Sequence, residues 1–210
     1  MTGPAFLLLA FTLAAATLDW MAVRHDNKAL EYVCKPATLA LLTLVALALD
    51  PRDPGVRAWF VAALLLSLAG DVLLMLPQDL FAFGLGAFLL AHVAYIVGFV
   101  VDGVTPGALL VGIAIVAVVL VGIGPRLING VRRTEPALAG PVAAYMVVIS
   151  AMVVCAVGTR HPAAILGAGL FYTSDALIGW NRFVREHEYG PLAIIVTYHV
   201  GQILLVLSLV

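Results

Sequence analysis

Eight apolar stretches, each about 20 residues long, follow one another with little polar chain between them: roughly 4–23, 34–50, 57–76, 80–101, 105–124, 138–158, 162–181 and 190–210. A backbone that enters hydrocarbon must satisfy its own N–H and C=O groups, so each stretch is predicted to be a membrane-crossing helix. The fold class is therefore all-α, a polytopic membrane helix bundle of about eight transmembrane helices. No connection is long enough to hold a second unit, and residues 1–210 read as a single integral membrane domain. The charge content agrees: 11% of residues are charged, against about 25% in soluble domains. The net charge of −1 says nothing about a partner in so apolar a chain, and no basic tract points to nucleic acid, so none is expected. The first stretch lacks a basic leader and an A-x-A cleavage site, so it reads as a retained helix. Cys34 and Cys155, far apart and without CxxC spacing, read as small packing residues.

Cations in the connections give the orientation. Arg24, Lys28, Lys35, Arg126, Arg132, Arg133, Arg182 and Arg185 fall toward one face, and only Arg52, Arg57 and Arg160 toward the other. Eight against three makes the first face cytoplasmic and both termini non-cytoplasmic. Short connections and small size suggest a prokaryotic cell membrane.

The two halves share a pattern. Asp71 in "GDVLLML" is followed 21 residues later by His92 in "HVAY"; Asp175 in "SDALIGW" is followed 24 residues later by His199 in "HVGQ". Runs three and seven would cross in the same direction, so the expectation is a parallel 4+4 internal repeat about an axis along the membrane normal.

An Asp at the centre of a membrane helix costs about 2.5–3.5 kcal/mol, so it is directed into the bundle or a wet cavity. Asp71 and Asp175 are expected in one layer near the cytoplasmic face. His92, Tyr95, Tyr198, His199 and Gln202 fall nearer the midplane; the spacings His92 to Tyr95, His199 to Gln202 and Tyr198 to Gln202 keep each group on one helix face. Tyr145 and Ser174 add hydroxyls, and Asp19, Lys35, Asn181 and Arg182 stand at the mouth. Together these describe a polar funnel open to the cytoplasm. Plainer readings compete. The acids could be structural, the histidines could serve interhelical hydrogen bonding, and Lys35 could pair with Glu31 at i+4. Trp20, Trp59 and Trp180 read as interfacial belt residues, and the glycines of "FGLGAF" and "LGAGLF" as sites of close helix packing.

Taken in order, "KPATLALL", "SLAGDVLLML", "FGLGAFLLAHVAYIVGF", "PVAAYMVVISAM" and "GAGLFYTSDALIGWNRF" resemble the YhhN-like lysoplasmalogenase family, from about residue 30 to the C-terminus. In "TYHVGQ", Tyr198 and Gln202 carry the family pattern. The resemblance implies a multi-pass hydrolase that cleaves the vinyl ether bond of lysoplasmalogens to a fatty aldehyde and glycerophosphoethanolamine or glycerophosphocholine. It implies a lysophospholipid substrate among membrane lipids and no cofactor.

Vinyl ether hydrolysis protonates the β carbon and then adds water to the oxocarbenium ion. It needs one group that is an acid and one that is a base or anion. Two carboxylates in a low-dielectric bundle supply both, so Asp71 and Asp175 are the expected catalytic pair, their roles unordered. Tyr198, Gln202, His92 and Tyr145 would position the ether oxygen and water, Lys35 and Arg182 would bind phosphate, and the chain would lie among runs three, four, seven and eight. Three other classes compete: a zinc hydrolase, although no HxxxH or HExxH occurs; a non-enzymatic lysolipid or small-solute carrier; and a serine nucleophile at Ser174.

Overall fold

The computed structural model describes residues 2–210. It consists of α1 Gly3–Arg24, α2 Lys28–Ala48, α3 Pro54–Met75, α4 Phe81–Asp102, α5 Pro106–Thr134, α6 Ala139–Thr159, α7 Pro162–Phe183 and α8 Gly190–Leu207, with a 3-10 turn at Pro136–Leu138. No strand occurs among the described residues, and eight segments are long and apolar enough to cross a membrane. The starts follow local chemistry. Proline stands in the first turn of α1, α3, α5, α7 and α8, where a missing N–H costs nothing. Thr2, Asn27 and Asp53 cap the first three helices through their side-chain oxygens.

Two boundaries depart from the sequence expectation. α2 begins at Lys28, not near 34, because Asn27 accepts from the Leu30 amide at 3.2 Å and Lys28 pairs with Glu31 at 2.9 Å, which together support a polar first turn. Glu31 is thereby taken, and Lys35 turns toward α3. α5 continues ten residues past 124 through Pro125. Its 29 residues span about 43 Å at 1.5 Å per residue, more than a 30 Å hydrocarbon layer. The stretch "GPRLING" has the composition of a loop and the conformation of a helix end standing clear of the lipid.

Successive helices pair as α1/α2, α3/α4, α5/α6 and α7/α8. α2 packs on α3, α4 on α6, α6 on α7, and α8 closes the ring against α1 and α2. α5 leans on α6 and α7 from outside, with Leu110, Val111, Val118 and Val121 exposed toward lipid. α4 reaches α6 and α8 reaches α2, but α8 also packs on α1 and α5 on α7 without comparable counterparts in the other half, so the packing does not establish the expected 4+4 repeat. The core runs through Leu39, Phe60, Leu64, Tyr95, Phe99, Met152, Phe171 and Leu205, with Phe60 edge-on to Tyr95 and Phe99.

Candidate active site

The two membrane carboxylates sit in separate clusters. Asp71, four residues before the end of α3, uses both oxygens: Oδ1 lies 3.4 Å from Lys35 Nζ of α2, and Oδ2 accepts from the Tyr198 hydroxyl of α8 at 2.7 Å. Tyr95 of α4 donates to Gln202 Oε1 of α8 at 2.5 Å, so the phenols and the amide brace α8 between α3 and α4. Asp71, Tyr95, Tyr198 and Gln202 are all buried.

Asp175, eight residues before the end of α7, is held by one oxygen only. Oδ2 accepts from the Tyr145 hydroxyl of α6, and His92 Nε2 of α4 lies 3.2 Å from the same oxygen and 2.8 Å from the phenol oxygen. Because the phenol gives its proton to Asp175, the imidazole faces two acceptors and carries its proton on Nε2. His92 Nδ1 is left without a partner. Asp175 Oδ1 makes no hydrogen bond, and Asp175 lines an apolar groove between α3, α4, α5, α6 and α7. Its enclosed volume is about 70 Å³, below the roughly 300–1,000 Å³ of ligand pockets, so an alkenyl chain would have to part its apolar walls. Leu74, Leu85, Val119, Ile123, Met146 and Ile149 form its walls. α5 and α6 line this groove together with α3, α4 and α7, and α8 does not, because α5 leans over the α6/α7 seam.

Phe171 separates the two clusters. Its ring centroid is 4.8 Å from that of His92 and 5.2 Å from that of Tyr198. Phe88 packs edge-on to both Phe171 and Tyr198. Neither aromatic was singled out by the sequence, since a phenylalanine in a lipid-like run carries no signal. The carboxylates share no hydrogen-bond partner.

The other candidates are distributed as follows. His199 faces α1, where the Trp20 indole donates to its Nδ1 at 3.1 Å and Asp19 Oδ2 lies 4.0 Å from its Nε2. Trp20 is thus a hydrogen-bond donor to α8, and the belt reading does not describe it; its place beside Asp19 was the available clue. Ser174 donates to the Ile194 carbonyl at 3.1 Å, tying α7 to α8. Asn181 lays its amide over Gly190. Arg182 lies apart from Lys35: it forms paired bonds to Asp79 at 3.0 and 3.1 Å and to Glu135 at 2.9 and 3.2 Å, over the ring of Phe81 at the groove's rim. Hydrogen bonds from Arg182 hold the Asp79 carboxyl below the usual carboxylate range. Among the described residues no three His, Cys, Asp or Glu side chains converge as a metal site requires.

The YhhN family matches residues 30–209. A protein of Mycobacterium bovis called lysoplasmalogenase is 36% identical over 175 residues, which cover 80% of this chain and 66% of that protein. Human lysoplasmalogenase TMEM86B is 33% identical over 146 residues, 70% of this chain and 61% of its own length. The mouse protein of the same name is 29% identical over 205 residues, 96% and 85% of the two chains. The matches thus take in just under two thirds of the mycobacterial and human relatives. No solved structure matches.

Proposed function

From the chain's membership of the YhhN family, to which it belongs, we propose that it is a lysoplasmalogenase, hydrolysing the vinyl ether bond of lysophospholipids within the membrane. The observation that carries the reading is Asp175: one oxygen fixed by Tyr145 and His92, the other free on an apolar groove. A carboxylic acid so placed can give its proton from Oδ1 to the β carbon of an alkenyl chain lying in the groove, and the O–H of Tyr145 and N–H of His92 then stabilise the carboxylate left behind. The C=C pair forms the new C–H bond, and the ether oxygen shares the positive charge. Water adds to the carbon bearing that oxygen and releases a proton. The resulting hemiacetal breaks its C–O bond to the glycerol, giving aldehyde and free glycerophospho-alcohol.

Asp71, with both oxygens engaged, is the fixed anion of the layer: with Lys35, Tyr198, Gln202 and Tyr95 it braces α8 against α2, α3 and α4 on the far side of Phe171 from the groove. Arg182 is seven residues after Asp175, about 10 Å along α7, over Phe81 at the groove's rim, and a lysolipid phosphate would replace Asp79 there. Lys35 belongs to the Asp71 pair. Ser174, Asn181 and His199 support the helices that carry these groups. The loop cations support termini that face away from the cytoplasm, and the short connections and small size support a prokaryotic cell membrane.

The test is aldehyde release from a defined lysoplasmalogen in detergent. Wild type is expected to release aldehyde, and Asp175→Asn, still monodisperse, to lose the activity by about 10²–10⁴-fold. A wild-type protein that binds lysolipid on several head groups but forms no aldehyde is a carrier, and the hydrolase reading ends.

A further inference from the structure

Hydrolysis consumes water, and the groove beside Asp175 is apolar. The polar side of the bundle is different. Asp19 of α1 is wholly buried, and neither of its oxygens has a hydrogen-bond partner. Opposite it stands His199 of α8, also wholly buried. An indole N–H only donates, so the bond from Trp20 makes His199 Nδ1 an acceptor and leaves the proton on Nε2. That N–H has no partner either and looks toward Asp19 Oδ2 at 4.0 Å, beyond direct hydrogen-bond reach.

One turn along α8, Gln202 gives its oxygen to Tyr95, and its Nε2 is unpartnered. One turn before Asp71 on α3, the buried Ser67 hydroxyl is unpartnered as well. Leaving such groups unmet costs about 1–3 kcal/mol each, so the two Asp19 oxygens and the His199 Nε2–H facing them point to a shared small partner that both donates and accepts.

We propose that Asp19 and His199 hold a buried water molecule between them, and that this station, with Gln202 one turn further along α8, supplies the water of the reaction. A water oxygen lying to one side of the Asp19–His199 line is within about 3 Å of both. It accepts from His199 Nε2–H and donates to Asp19, and has room in its valence for the neighbouring amide. Chain and water then approach the reacting bond from opposite sides: the chain from the groove beside Asp175, the water from α1 and α8 past Tyr198 and the Phe171 ring that stands between the two clusters. Asp19 is a positioning residue, acting through the water it holds. It lies on α1, ahead of the residues the family matches. The role in the reaction rests on the hydrolase reading; the water site does not.

Two measurements test this. The first is an experimental structure of the wild-type protein at a resolution that shows ordered water. Density bonded to both Asp19 and His199 Nε2 is expected; a direct Asp19–His199 hydrogen bond with no water overturns the station whether or not the protein is a hydrolase. The second is competition by methanol, which adds to the oxocarbenium ion in place of water, loses its O–H proton and gives a stable methyl acetal. Asp19→Leu is expected to raise the acetal-to-aldehyde ratio about fivefold, the worth of one hydrogen bond to the water. Asp19→Asn, which keeps an acceptor in place, is expected to leave the ratio near the wild-type value. A ratio that stays constant in folded Asp19→Leu while hydrolysis continues overturns the supply role.

Discussion

Asp71 and Asp175 are the same residue in the same kind of helix, and what separates them is how many of their oxygens are spoken for. Asp71 depends on Lys35 for charge and on Tyr198 for a donor. Lys35→Met strands a buried carboxylate and is expected to destabilise the protein by about 3–5 kcal/mol; adding Asp71→Asn should restore much of that, because an unpaired charge costs more than a missing pair. Denaturation of the wild type and the two variants in one detergent checks it, and a double variant no more stable than Lys35→Met removes the ion pair from the account. Tyr145 instead serves a group whose other oxygen faces the groove. Tyr145→Phe is expected to lower kcat about 10²-fold with little change in KM, read from aldehyde release. The acids and hydroxyls were legible in the sequence, since each is expensive in hydrocarbon and stands out there. Their partners were not. Lys35 at i+4 from Glu31 reads as a surface pair until Lys28 claims Glu31, and Trp20 reads as a belt residue until α8 is laid beside it.

Elements are positioned by where backbones can meet. The glycine pairs of "FGLGAF" and "LGAGLF" look alike in sequence, yet in each only one glycine is confined: a Cβ on Gly167 would stand 2.8 Å from the Gly201 carbonyl oxygen, whereas one on Gly169 would meet nothing. Likewise Gly84 faces Leu74 and Gly86 faces open space. Gly201→Ala would press its Cβ to 2.9 Å from the Gly167 carbonyl and 3.0 Å from the Phe171 amide, both backbone atoms. It is expected to cost about 1–3 kcal/mol and to lower activity, because α7 carries both Phe171 and Asp175. Gly169→Ala, with free space around it, should be neutral or stabilising by up to about 1 kcal/mol. Thermal unfolding of the two variants side by side decides, and equal effects would mean that contact with α8 does not set the position of α7. Eight crossings could be counted from apolar length because length is what lipid demands. The end of α5 could not, because "GPRLING" lies where water returns and a helix can continue without an apolar signature.

The molecule as a whole is sided. On the face that carries the termini, Arg52 donates to the Ser208 carbonyl and Thr2 to the Ala48 carbonyl, so α1, α2 and α8 are sewn together there. On the opposite face Arg182 joins the α3–α4 connection, through Asp79, to the α5–α6 connection, through Glu135. Because Asp79 is more acidic folded than unfolded, its contribution is present above the unfolded pKa and is lost as pH falls through the lowered folded value. Acid unfolding between about pH 4 and 2 should therefore be less steep in Asp79→Asn than in wild type, and the difference should shrink in high salt; identical pH profiles would leave Arg182 to Glu135 alone. Sidedness also decides where substrate and water come from. Eight helices return the chain to the face it started from, so the termini must share a side whichever way the bundle is inserted. The proposed orientation rests on the cation imbalance: Arg24, Lys28, Arg132, Arg133, Arg182 and Arg185 border the connections opposite the termini, and cationic connections tend to stay cytoplasmic. Protease-cleavable tags at both ends are accordingly expected to be cut in intact spheroplasts and protected in inverted vesicles. Cleavage of one tag in each preparation would contradict an even number of crossings. Cleavage of both only in inverted vesicles would keep the bundle and reverse it, placing the mouth of the Asp175 groove and the Arg182 clasp on the outer face, where lysolipid of the outer leaflet would be the substrate.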